Sequence, residues 1–262
     1  MCVHQNIQEM KQYSSDLTDK QWQVIEKIQN DARKRQYEIR KIWDAIFYIV
    51  KSGCQWRMLP RDYAPWELVY YYYRRWKKEG LIEEVMDELV SKVRIKSGRK
   101  AYPTVGIIDS QTVKTTAVCG ESRGYDAGKK IKGRKRHLVV DTMGLPLSIS
   151  VHSAAIQDRE GAIAVLSDVK DKHHQVIKII ADGGYRGKLI DFVKTNFTWT
   201  LEIIKRNTAR FQILPKRWIV ERTFAWIHNF RRHSKDYEYL IESSIAMLQL
   251  AFIRLILNKL LI

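Results

Sequence analysis

Three carboxylates stand where the chain could do phosphoryl chemistry. Asp109 closes the apolar run VGIID, and Asp182 follows the apolar run VIKIIA. Glu221 lies 39 residues beyond Asp182, inside a stretch with helical spacing. In open α/β sheets, ligands gather at the carboxyl ends of strands. Two aspartates ending neighbouring parallel strands lie side by side, which is unfavourable unless a cation sits between them. Mg²⁺ is the natural hard cation, because it takes oxygen ligands and keeps room for waters and phosphate oxygens. Gly183 and Gly184 let the backbone after Asp182 approach a ligand closely. On the Glu221 helix, Arg217, Glu221, Ala225 and His228 share one face, with Ile219, Val220, Phe224 and Ile227 on the other. Other aspartates have simpler readings. Asp141 precedes Met143-Gly144 and reads as a hairpin-turn residue, Asp126 as a turn residue and Asp158 as a helix N-cap. His173 and His174 read as surface residues.

Positioning these groups requires a frame. The first hundred residues read as helices. Thr18 and Gln21 form a capping box, a second helix spans 37–52 and ends at Gly53, and a third opens at Pro65 and stops at Gly80. A more acidic helix follows, and IKSGRKAYP (95–103) reads as a linker. Beyond it the period changes. VGIID is a strand, KRHLVVDTMG (135–144) and LPLSISVHS (145–153) form a hairpin, and DREGAIAVLSDVK is a helix. Strand, helix, strand and a helix opening at Pro215 complete the order. Three meandering strands followed by helical crossovers give an α/β fold, a ribonuclease-H-like mixed sheet flanked by helices and preceded by an all-α domain. The division expected is 1–96 for the helical DNA-binding domain and 97–262 for the catalytic one.

The charge fits a polyanionic partner. The chain carries 46 Lys and Arg against 29 Asp and Glu, a net of +17. Residues 1–100 hold 20 basic against 14 acidic residues, and 101–262 hold 26 against 15, so both parts meet the polyanion. Cys2, Cys54 and Cys119 are scattered, with no C-x-x-C pair, which suggests neither a zinc site nor a disulfide framework and suits a reducing cytoplasm. MCVHQNIQEMKQYS has no apolar signal-peptide core. The apolar C-terminal stretch has an uncharged run of only 11 residues, Ser243 to Ile253, and reads as a core helix rather than a membrane span. No membrane partner is expected.

Several runs resemble the DDE transposases of bacterial insertion sequences, the group called insertion-sequence family five. They are SDLTDKQW, SGCQWRMLP and PWELVYYYYRRWKKEG, then IIDSQTVKTT, RGYDAGKKIKGRKRHLVVDTMG, ADGGYRGKL and RWIVERTFAWI, followed by RRHSKDYE. The resemblance covers Leu17 to Leu261. It implies that Asp109, Asp182 and Glu221 are the catalytic, metal-holding triad. It also implies two Mg²⁺ ions (Mn²⁺ substituting) about 3.5–4 Å apart. By the same resemblance one ion would activate water for attack on the element end and the other would stabilise the leaving 3′ oxygen, after which the freed 3′-OH would attack target DNA. The implied partners are double-stranded terminal inverted repeats and target DNA, met by a homodimer or higher assembly. Arg217 fits the arginine of a Tyr-Arg-Glu-Lys signature found in a neighbouring group, where Leu214 and His228 replace the Tyr and Lys. The stretch NDARKRQYEIR lacks the Gly-Arg-Pro-Arg run often found before the second helix.

Two basic segments are the expected DNA contacts. GKKIKGRKR (128–136) reads as a phosphate-binding loop carrying Lys129, Lys130, Lys132, Arg134, Lys135 and Arg136. On the third helix, Arg74, Arg75, Lys77 and Lys78 are placed to reach phosphates or base edges. The gap from Gly53 to Pro65 exceeds a tight helix-turn-helix turn, so a related rather than strict form of that motif is expected. A structure-specific nuclease of the same fold, or an inactive DNA-binding relic, is the alternative.

Overall fold

The computed structural model describes residues 13–31, 33, 36–120, 122–204 and 216–261. Four helices come first: α1 (Asp19–Gln29), α2 (Ile39–Ser52), α3 (Trp66–Glu79) and α4 (Leu81–Lys96). Their ends follow local chemistry. Thr18 and Gln21 exchange hydrogen bonds in the capping box that starts α1. Gly53 takes φ 71° and closes α2, donating its N–H to Ile49 O. A Cβ there would also stand 3.1 Å from Arg231, so both backbone angle and space require glycine. Pro65 is the N-cap of α3 rather than its first helical residue. The four helices share an apolar core in which Trp43 and Trp76 stack 4.6 Å apart.

The second part is a sheet with helices on both faces. Its strands are β1 (Val105–Lys114), β2 (Gly124–Asp126), β3 (Ile131–Val140), β4 (Pro146–Ser153), β5 (Lys178–Ala181) and β6 (Thr200–Ile203). The order is β4-β3-β1-β5-β6, with β2 on β3 beside β1's far end. β1, β3 and β4 are antiparallel neighbours, while β5 and β6 run parallel to β1. Helices α5 (Asp158–Lys172), α6 (Lys188–Phe197), α7 (Trp218–Ile227) and α8 (Ile241–Leu260) complete it. This is the expected ribonuclease-H-like α/β arrangement after a helical region. The helix start at Pro215, and Leu214, fall outside the described residues.

Alternation along the strands separates two cores. Ile107, Leu138, Val140 and Ile180 join the helical core of α1–α4, α7 and α8. Ile108, Val139, Ile179 and Ala181 face α5 and α6. α8 is 20 residues long, and by length and composition it could cross a membrane, yet 61% of its most apolar 18-residue window is buried. It packs on α4, α2 and β4 as a core helix. Arg94 at the end of α4 ties the helical region to the sheet. It ion-pairs with fully buried Asp141 and donates to Lys100 O and Ala101 O at 2.9 and 3.1 Å. Asp141 also accepts the Met143 and Leu145 amides, which makes it the hairpin-turn residue expected.

Besides Pro65, three expectations change. β1 does not end at Asp109 but runs five residues further, to Lys114, because β3 pairs with it from Ile107↔Val140 to Lys114↔Gly133. That pairing turns most of GKKIKGRKR into strand. The N-cap of α5 is Gln157; Asp158 is its first residue, and its carboxylate points sideways to Ser110 and Lys135. His173 is buried rather than on the surface, its ring Nε2 hydrogen-bonded with Leu147 O, because it closes α5 against β4.

Candidate active site

Register places two carboxylates together. The last pair of the parallel β1–β5 ladder is Ile107↔Ile180. Asp109 and Asp182 each lie two residues beyond it, on neighbouring strands pointing the same way. Asp182 caps a short turn over Gly183–Tyr185 and accepts the Gly184 amide at 2.8 Å. A Cβ on residue 184 would come within 3.1 Å of that same carboxylate oxygen, so glycine allows the carboxylate to fold back on the turn. Asp109 accepts the Ser110 amide at 2.7 Å.

α7 passes over this end of β1. It lines a cleft of about 340 Å³, formed by Glu221, Ala225 and His228 of its outer face and the edge of buried Phe224, with Asp109, Ser110, Gln111, Thr112 and Lys129. Ile219, Val220, Phe224 and Ile227 are buried and hold the helix down, as their spacing suggested. His228 Nε2 lies 2.9 Å from the Gln111 amide nitrogen, and Lys129 Nζ donates to Ser110 O at 3.4 Å. Gln111 was missed from sequence. The signal was there, since residues two apart on a strand share a face and Gln111 follows Asp109 by two.

The electrostatics follow from burial. Asp109 is pushed up to about 6 by desolvation, with the nearby Asp182 charge adding to it; the Ser110 amide, Arg217 and Lys129 oppose the rise. Arg217, the N-cap of α7, reaches both other carboxylates. Its Nη2 lies 3.3 Å from Asp182 and its Nε 3.3 Å from Glu221. The Asp182 side chain is 28% exposed and that of Glu221 52%.

Behind Asp109, on the other sheet face, lies a polar layer that the sequence reading did not anticipate. Ser110 Oγ donates to Asp158 at 2.8 Å, and Lys135 Nζ donates to Asp158 at 2.8 Å and to Ile156 O at 2.8 Å. Burial pushes Asp158 up, but the Lys135 and Ser110 hydrogen bonds bring it below the usual carboxylate range. His137, cross-strand from Ser110, stacks on His152 with their nitrogens 2.8 Å apart. Tyr185, buried after Asp182, meets His137 edge-on. These groups fix the backbone on both sides of the two aspartates.

The donor set suits a divalent ion in kind: hard oxygens, two of them adjacent and mutually repelling. Among the described residues, no three metal-ligating side chains converge on one point. Arg217 lies between Glu221 and Asp182.

The expected DNA contacts divide. Arg74, Lys78, Lys129, Lys130 and Lys132 are exposed. Arg75 is half-buried and pairs with Glu79 at 2.8 Å; Lys77 donates to Ser243 Oγ at 3.0 Å and lies 3.7 Å from Glu242. Arg134, Lys135 and Arg136 do not form a phosphate-binding loop. Arg134 is 0% exposed, paired with Asp236 at 3.4 Å and donating to Glu238 O and Tyr239 O. Arg136 donates to His233 O and Lys235 O, and burial lowers it to about 10. The reason is position: β3 is a central strand, and these residues lie under the 233–239 segment and α5.

Comparison with known proteins agrees with this architecture. Residues 100–256 match the family described as Transposase DDE domain, more than half of the chain. Residues 17–86 match a putative transposase of the IS4/5 family. A putative transposase for insertion sequence element IS402 from Burkholderia cepacia is 31% identical over 108 residues, 38% of this chain and 51% of that protein. The chain thus spans about half the length of that curated relative. Among solved structures, a Drosophila P element transposase strand transfer complex aligns at 12% identity with a TM-score of 0.31, covering 71% of this chain and 45% of that one. The two family matches meet the two parts of the fold in order, and the chain belongs to the family described as Transposase DDE domain.

Proposed function

We propose that this chain is the transposase of a bacterial insertion sequence, acting in the cytoplasm on double-stranded DNA as a homodimer or larger assembly. The observation that carries the reading is the placement of Asp109 and Asp182 side by side on parallel strands, with Glu221 lining the same cleft as Asp109 and linked to Asp182 through Arg217. Residues 1–96 would hold the terminal repeats and residues 97–262 would cut and join them. Asp109 and Asp182 would hold Mg²⁺, joined by Glu221; such ions supply water activation and charge neutralisation at the phosphodiester.

The chain's own groups define the rest. Lys129, at the cleft wall, and exposed Lys130 and Lys132 offer a phosphate track leading to the carboxylates. Arg74 and Lys78 extend the basic surface onto α3, where Arg75 and Lys77 are already engaged. Gln111 and His228 brace the cleft wall through their mutual contact. The hydrogen-bonded layer of Ser110, Asp158 and Lys135 holds β1 rigid behind Asp109.

The test is an assay with Mg²⁺ and DNA bearing the element's own ends. Wild type is expected to nick and join; Asp182→Asn is expected to do neither. Equal cutting by Asp182→Asn overturns the triad. Cutting without joining marks a structure-specific nuclease, and no product from either protein marks a relic.

A further inference from the structure

Arg217 occupies an unusual position for a surface-facing arginine. Its guanidinium reaches Asp182 and Glu221 at once, each at 3.3 Å. Charge-assisted N–H···O bonds settle at about 2.7–2.9 Å, so both contacts are long. Its Nε is buried without a hydrogen bond of good geometry. The arginine is therefore a loose counter-ion shared by two carboxylates. A guanidinium matches a phosphate better than this, because its parallel donors engage two phosphate oxygens together.

Resting on the function proposed above, we infer that Arg217 is a positioning residue that exchanges partners. Without DNA it neutralises Asp182 and Glu221 and keeps them from converging on a divalent ion. A DNA phosphate entering the cleft draws it away and leaves two carboxylates in need of a cation. Metal loading is thereby made to follow DNA engagement. The lysine that lines the cleft, Lys129, contacts a backbone carbonyl and has no ion pair with these two carboxylates among those the described residues make. It cannot substitute for the exchange. Linkage makes the effect reciprocal: whatever factor DNA adds to metal affinity, metal adds to DNA affinity.

The test measures Mn²⁺ binding to the full chain by electron paramagnetic resonance, with and without a short DNA duplex. Without DNA, Arg217→Gln is expected to bind Mn²⁺ on the order of tenfold more tightly than wild type, equivalent to about 1.4 kcal/mol. Arg217→Lys, which keeps a charge, is expected to stay near wild type. Adding duplex is expected to raise Mn²⁺ affinity more for wild type than for Arg217→Gln. Equal affinity of Arg217→Gln and wild type overturns the exchange. So does an equal gain from Lys129→Gln, which would trace the effect to general charge. The Asp109→Asn, Asp182→Asn double variant separates this from the underlying reading. If it keeps wild-type Mn²⁺ binding, the metal lies elsewhere and both fall; if it loses Mn²⁺ while Arg217→Gln matches wild type, only the exchange falls.

Discussion

Two basic runs of similar composition meet opposite fates. RRWKK, residues 74–78, lies on α3, and KKIKGRKR, residues 129–136, runs into β3. On the helix, Tyr73 and Trp76 turn into the core while Arg74 and Lys78 stay in water. The 3.6-residue period puts them on another side of the cylinder. On β3 no such escape exists. The strand is paired on both edges and covered on both faces, so Arg134, Lys135 and Arg136 are all buried whichever way they point. The helical run remains surface charge; the strand run becomes internal scaffolding. A cluster of positive charge in a sequence therefore specifies an interface only once its element's neighbours are known.

The contrast can be broken most directly at Arg134. Arg134→Gln leaves Asp236 buried without its partner and is expected to destabilise the fold by about 3–5 kcal/mol in chemical denaturation. Arg74→Gln is expected to change stability by less than about 0.5 kcal/mol. Comparable small losses at both sites would show that the strand run is not structural.

Titration sharpens the same contrast. Burial holds His137 on β3 down at about 3, and His233 well below its usual value. The unfolded chain binds those protons first, so both histidines make stability fall as pH drops below about 6.5; for His137 the fall continues toward 3, by up to about 1.4 kcal/mol per pH unit. His137→Gln is expected to flatten that acid limb in thermal scans; an unchanged limb counts against its burial. The helical region has the opposite sign. Desolvation raises Asp44, buried on α2, to about 6 despite the Leu17 amide at 2.7 Å. A raised carboxyl favours folding while protonated, and that advantage is lost as pH climbs from about 3.9 to 6. Asp44→Asn, which keeps the acceptor, is expected to gain about 1–2 kcal/mol at pH 7 and little at pH 3. A gain of equal size at both pH values would place the effect elsewhere.

The smallest expected effect concerns DNA itself. Arg74→Ala and Lys78→Ala are each expected to reduce the slope of log affinity against log salt by about 1, with stability unchanged. Lys135→Met is expected to leave that slope alone, because its ammonium is held by Asp158 and Ile156 O. A lowered slope for Lys135→Met would return the strand run to the DNA surface.

Much of the frame was legible in the residues. The capping box at Thr18, the stops at Gly53 and Gly80, the hairpin at Met143-Gly144 and the amphipathic face of α7 are short-range signals, and all lie where expected. Where reading failed, the missing information was long-range. The continuation of β1 past Asp109 depends on β3 pairing with it, and the burial of His173 depends on β4. Asp158 looked like an N-cap because Asp commonly is one; Ser110 and Lys135, distant in sequence, claimed its carboxylate instead.

By itself the sequence determined the order of elements, the excess of positive charge and the identity of three well-spaced carboxylates. These rest on backbone propensity, hydrophobic period and residue chemistry, which act over a few residues. The tertiary structure decided which charges face water, that Asp109 and Asp182 are neighbours, and that Arg217 stands between Asp182 and Glu221. Those outcomes depend on strand register and on the path of α7 over the sheet, where residues far apart in the chain compete for the same contact.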